Sequence, residues 1–146
     1  QSYGGIDGDS ASAAEIICLL SALTNAPLRQ DLAMTGAIDQ LGNVLPVGAI
    51  NEKIEGFFDT CMARGSCSSH GVLIPKANVG DLMLRTDVVE AAAAGTFHVH
   101  AVSHIGQAMQ LLMGRPLGDG SPECLIRLAR ERSHEFWRMG ARRPEG

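Results

Sequence analysis

The sequence predicts an α/β fold in a single domain. Two observations carry this. Short stretches of strand character, at residues 28–38 with 44–47, then 71–75 and 97–102, alternate with helical stretches at 12–24, 48–64, 87–94 and 105–113. The 146 residues, 45% of them apolar, suffice to bury a core without disulfides or metal.

Residues 1–9 read as a loop. From Ser12 to Thr24 the chain is apolar almost all round: Ile16, Leu19, Leu20 and Leu23 keep helical spacing while Ile17, Cys18 and Ala22 fill the other side. Such a helix is expected to be buried, and Asn25-Ala26-Pro27 stops it. Residues 28–38 alternate loosely through Leu32, Met34 and Ile38, turn at 39–43 and return over 44–47, which predicts a hairpin. Residues 48–64 form the next helix, with Asn51 as a candidate cap. Ile50, Ile54, Phe57 and Cys61 make its apolar stripe, Glu52, Glu55 and Asp59 lie opposite, and Lys53 flanks the stripe.

The continuous apolar run 71–75 predicts a short strand. Residues 79–84 and 87–94 predict short helices, the second closed by Gly95. Residues 97–102 alternate as a strand, and 105–113 form a helix ended by Gly114. After a linker, Ser121-Pro122-Glu123 opens a basic helix running to Met139. No internal repeat is present.

A net charge of −4 and 4% aromatic residues argue against a nucleic-acid surface. The basic end, with Arg127, Arg130, Arg132, Arg138, Arg142 and Arg143, reads as a solvated helix face or a docking face for another subunit. The longest uncharged stretches are broken by His and Gly, so no membrane span is expected. No secretion signal is visible, and Gln1-Ser2-Tyr3 opens without Met, as a piece of a longer chain would. Cys18 and Cys61 read as small buried hydrophobes, and reduced thiols in a cytosol fit the four cysteines.

The chemistry concentrates at Ser10 and Lys53. Ser10 lies in Gly4-Gly5-Ile6-Asp7-Gly8-Asp9-Ser10-Ala11, a glycine-rich turn feeding a helix. A serine hydroxyl is a weak nucleophile and needs a base. A lysine supplies one only when neutral, a form that apolar surroundings favour; Ile50, Phe57 and Val47 flank Lys53 in sequence. Backbone N–H groups at the helix start can hold an oxyanion, and Gly8 gives the turn its freedom. Thr35, between the two segments, is a candidate hydrogen-bond partner for the lysine. On pattern alone, each has a plainer role: Ser10 as an N-cap, Lys53 as a snorkelling surface lysine, Thr35 as a strand former.

The segment Asp7-Gly8-Asp9-Ser10-Ala11-Ser12 resembles the nucleophile motif of Lon-type ATP-dependent proteases, DGPSAG in the bacterial form and GDSAS in the archaeal-like form. Residues 27–36 are similar to the family's PVR.DVAMTG, residues 42–48 to its G.VLPIGG, Glu52-Lys53 to its EK pair, and residues 72–78 to its VLIP..N. The likeness is ungapped from Ser10 to Lys53 and continues to about Gly114. It implies Ser10 as nucleophile, Lys53 as general base and Thr35 as the lysine's partner, with Asp7, Gly8, Asp9 and Ala11 supporting.

Several positions depart from the pattern. Ala49 stands for a second Gly, Asn51 for the other lysine of KEK, and Ala37 for an acidic residue; residues 115–146 fall outside the likeness. Asp7 is either a turn residue or a latch that pairs with Lys53.

The resemblance further implies a ribosomal protein S5 domain 2-like fold lacking its N-terminal strands. It divides the chain into a peptidase region, residues 1–114, and a linker with helical extension, residues 115–146. It implies unfolded protein or peptide substrates, an ATPase region elsewhere in the polypeptide, a homo-hexamer and a cytoplasmic location. No cofactor is expected in this segment, which has no Walker-type loop; ATP and magnesium belong to the full-length protein.

Two other classes compete with this reading. A Gly/Ser-rich turn before a helix can cradle phosphate, as in small-molecule kinases, although Asp7 and Asp9 would repel it. Cys61, Cys67 and His70, with His98, His100 and His104 further on, are a loose match to a metal module.

Overall fold

The computed structural model describes residues 8–65 and 69–141. Its elements are α1 (Ser12–Thr24), β1 (Leu32–Met34), β2 (Ala37–Ile38), β3 (Val44–Leu45), α2 (Ile50–Ala63), β4 (His70–Pro75), a 3-10 helix (Lys76–Asp81), α3 (Thr86–Ala93), β5 (Phe97–Val102), α4 (Ile105–Met113) and α5 (Leu125–Ala141). This is the mixed α/β architecture expected.

The central sheet is parallel, in the order β1-β4-β5, with Leu32 opposite Gly71 and His70 opposite Phe97. Parallel strands are covered on both faces, so their central member reads as one apolar run; Gly71 to Pro75 are all buried. Alternate residues feed two cores. Leu73 packs with Ala13 and Ile17 of α1 and with Ile105, Met109 and Leu112 of α4. Val72 and Ile74 pack with Ile50, Ile54 and Phe58 of α2, Val88 of α3 and Phe97. Each such aliphatic or Phe side chain contributes about 1.5–3 kcal/mol by leaving water.

The predicted strand at 28–38 divides in two. β1 joins the parallel sheet, and β2 pairs antiparallel with β3, Ala37 opposite Leu45. The break falls at Thr35-Gly36, where Thr35 N–H still donates to Leu73 O (3.1 Å) and the next N–H, Gly36, turns to Ser10 O (2.9 Å). A Cβ on Gly36 would stand 2.8 Å from Val44 Cγ1, so only glycine lets the hairpin fold back here.

Other expectations are corrected. α1 is not buried all round: only Ala13 and Ile17 are buried, while Leu19 is 67% exposed and Cys18 is exposed. It lies on the sheet by one face and against α5 by another, and its remaining side meets solvent. Asn51 does not cap α2; Ala49 holds that position. Instead Asn51 Oδ1 accepts from Met83 N–H (2.8 Å) and Nδ2 donates to Asp81 O (3.0 Å). These bonds take the backbone groups that a helix over 79–84 would have used, and the segment is a 3-10 turn ending at Asp81. α5 starts at Leu125, later than Ser121-Pro122 suggested, because Pro116 O and Leu117 O accept from the N–H groups of Leu125 and Ile126. Phe58, not Phe57, completes the buried stripe of α2.

Candidate active site

The Ser10 loop is shaped from both sides. Gly8 has φ +90°, a conformation natural only to glycine. Asp9 O accepts from Ser12 N–H (3.0 Å), and α1 follows with Ala11 in the N-cap position and no side-chain cap. Ser10 is therefore not the cap. Its half-buried hydroxyl has no hydrogen-bond partner among the described residues, and neither have the N–H groups of Ser10 and Ala11.

The carbonyl of Ser10 is held twice, by Gly36 N–H (2.9 Å) and by the Thr35 hydroxyl (3.1 Å). Two further bonds sew the same strip together: Ala13 N–H to Gly36 O (3.1 Å) and Ile38 N–H to Ser12 Oγ (3.1 Å). Thr35 is buried, and its one hydroxyl proton is committed to Ser10. The oxygen retains lone pairs to accept with.

Lys53 lies in the first turn of α2, with its N–H on Ala49 O (3.1 Å). It is half-exposed, near buried Ile50 and next to buried Ile54, and makes no ion pair among the described residues. Along the chain, Thr35 leads to Lys53 through β2, its partner β3, and then residues 46–49 into α2. Asp9 is exposed. Asp7 lies outside the described residues, as do Cys67, Arg142 and Arg143.

The motif over residues 72–78 ends on Asn78 without giving it a role. In the fold it is a buried polar residue, 4% exposed, bonded to the Val47 backbone. The sequence carries a signal for this, since an amide three residues past an apolar strand and a proline has no core of its own kind to join.

Several charged groups elsewhere pair locally. Arg85 bridges Asp59 and Asp87, which holds both carboxyls below their ordinary value. Asp39 is lowered by the Asn43 side chain and N–H across its turn. His98 and His100 stack with ring centroids 6.0 Å apart, and burial lowers the His100 pKa, with His98 and Arg29 adding to it. No group of three or more metal-ligating side chains occurs among the described residues. No helix there is long and apolar enough to cross a membrane.

The turn thus presents a serine hydroxyl and two amides without a partner among the described residues, and comparisons with known proteins identify the family. Residues 4–115 match the model of the Lon protease C-terminal proteolytic domain. A putative Lon protease homolog of Haemophilus influenzae is 45% identical over the whole chain, which spans 24% of that protein. Its counterpart in Escherichia coli is 43% identical over 90% of the chain and 22% of the relative. An archaeal Lon protease of Halobacterium salinarum is 38% identical over 80% of the chain and 15% of its own length. The chain thus spans about a quarter or less of these relatives, and within that span the family match, the sequence motifs and the α/β architecture agree on one conclusion: it belongs to the Lon protease C-terminal proteolytic domain family.

Proposed function

We propose that this chain carries the hydrolytic centre of a serine endopeptidase, with Ser10 as nucleophile and Lys53 as general base. The observation that supports it best is the Ser10 loop: a hydroxyl not used as a cap, two amides beside it without a partner among the described residues, and a carbonyl pinned by Thr35 and Gly36. In the reaction Lys53 Nζ takes the proton from Ser10 Oγ as Oγ attacks the scissile carbonyl carbon. The N–H groups of Ser10 and Ala11 receive the resulting oxyanion. The Lys53 ammonium then gives its proton to the departing amine, leaving an acyl-enzyme. Water, deprotonated by the same lysine, attacks the ester; Oγ recovers its proton and the acid leaves. Thr35 orients Lys53 by accepting from its amine N–H while donating to Ser10 O. Gly8 and Asp9 shape the turn.

The wider reading is of the same kind. Unfolded protein or peptide is the substrate, an ATPase region of the same polypeptide with ATP and magnesium drives delivery, and six copies form the working ring in the cytoplasm. The finer fold type is that of the family. Residues 115–146 form an extension to the peptidase region, which covers residues 1–114.

A peptidyl phosphonate directed at serine tests the centre. Stoichiometric modification at Ser10, lost in Ser10→Ala and in Lys53→Met, is the expected result. Equal modification in Lys53→Met, or none in the unsubstituted chain, would overturn the dyad.

A further inference from the structure

Asn78 spends its whole side chain on two segments. Its Oδ1 accepts from Val47 N–H (2.9 Å), and its Nδ2 donates to Val47 O (3.1 Å) and to Asp81 Oδ2 (2.9 Å). The amide thus matches both groups of one residue's backbone, as a neighbouring strand would, after β3 has ended at Leu45. Few side chains can do this: a carboxylate only accepts, and an aliphatic group would leave the Val47 N–H and C=O unpaired.

Beyond Val47 the chain turns sharply. Ala49 has φ +55° and ψ +40°, left-handed for a residue that carries a Cβ. Such a conformation persists where its surroundings over-determine it. From Ala49 O the first turn of α2 is closed by Lys53 N–H (3.1 Å). On the far side of the corner Asn51 binds Asp81 O (3.0 Å) and Met83 N–H (2.8 Å). Asp81 is therefore joined to both asparagines, through its carboxylate to Asn78 and through its carbonyl to Asn51. The corner at 47–51 is bracketed from both ends by one short 3-10 segment.

We propose that Asn78, with Asp81 and Asn51, is a positioning residue for Lys53, setting the direction in which α2 leaves the hairpin and so the place of the base. This rests on the reading of Lys53 given above. A clamp of this kind acts on the rate of chemistry and leaves substrate affinity alone.

The test uses the 146-residue chain and a serine-directed peptidyl phosphonate, with the affinity of the first encounter separated from the rate of covalent modification. Asn78→Asp keeps size and acceptor and removes both donors. It should slow modification about tenfold or more, as small misplacements of a reacting group do, with affinity changed less than about threefold. Ala49→Gly added to Asn78→Asp should restore some of the rate, because glycine holds this conformation unaided. Asn51→Ala should slow modification in the same sense. Where Asn78→Asp does not fold by circular dichroism, Asn51→Ala decides alone on the same readouts. An unchanged rate, or a loss confined to affinity, overturns the clamp. Absence of Ser10 modification in the unsubstituted chain overturns the dyad itself, and the clamp with it.

Discussion

Thr35 donates its hydroxyl hydrogen to the carbonyl oxygen of Ser10 at 3.1 Å, across 25 residues of chain. The bond ties the peptide on the far side of Ser10 to the end of β1. Thr35→Val keeps the shape and removes the donor. Hydrolysis of a fluorogenic peptide should fall by roughly tenfold or more, with stability lowered by about 0.5–1.5 kcal/mol. Thr35→Ser should retain most of the activity. Equal activity in Thr35→Val would mean that the Gly36 N–H alone holds Ser10.

Gly42 turns the β2–β3 hairpin at φ +87°, with space for a Cβ only 2.8 Å from His104 Nε2. His104 is fixed there: its Nδ1 accepts from Gly106 N–H at the start of α4, and Nε2 lies 3.3 Å from Leu41 O. Gly42→Ala adds left-handed strain to a clash, and should lower stability by about 1–3 kcal/mol in urea unfolding. A neutral result would require the hairpin tip to shift away from α4.

Phe97 is fully buried on β5, edge-on to Phe58 at 5.2 Å and tilted to Phe57 at 6.3 Å. Phe97→Ala should cost about 3–5 kcal/mol, read from the denaturant midpoint at constant slope. A loss below about 1 kcal/mol would show that α2 and α3 collapse into the gap.

His100 gives a pH dependence. Burial, then His98 and Arg29, hold its pKa below the ordinary 6.5 in the folded chain. Above that value the ring is neutral in both states and contributes nothing. As pH falls through about 6.5 the unfolded chain takes up the proton first, so stability falls, and the loss levels off below the folded pKa. His100→Gln should flatten this stretch of the stability profile between about pH 7 and 5, measured by thermal unfolding. An unaltered profile would assign the acid sensitivity to other groups.

The elements legible in the sequence are those with a strong period and clear ends. β5 alternates, α4 is bounded by Gly114, and 71–75 is an unbroken apolar run; each lies within a residue of expectation. What escapes sequence reading depends on distant partners. Asn51 looks like a cap because asparagine often is one, yet its amide goes to residues 81 and 83. Residues 28–38 look like one strand because nothing local announces that Gly36 N–H leaves the sheet for Ser10. The all-round apolar pattern of α1 marks a helix that tolerates cover on every side, and the chain covers only some of it. At the proposed site, Ser10, Thr35 and Lys53 are named by resemblance to the family's motifs. The motif does not reveal that Thr35 holds Ser10 by its carbonyl, or that Asn78 grips the segment leading to Lys53.

The Ser10 loop is held in place largely from a distance. Its carbonyl hangs on Thr35 and Gly36, and Thr35 in turn hangs on Leu73 O through its N–H. During synthesis Ser10 emerges from the ribosome more than sixty residues before Leu73 does. Until that strand has been made and has paired with β1, the serine is one of many in an extended chain. On the proposed reading of Ser10 as nucleophile, the order in which the segments appear keeps a nascent polypeptide harmless to itself and to its neighbours.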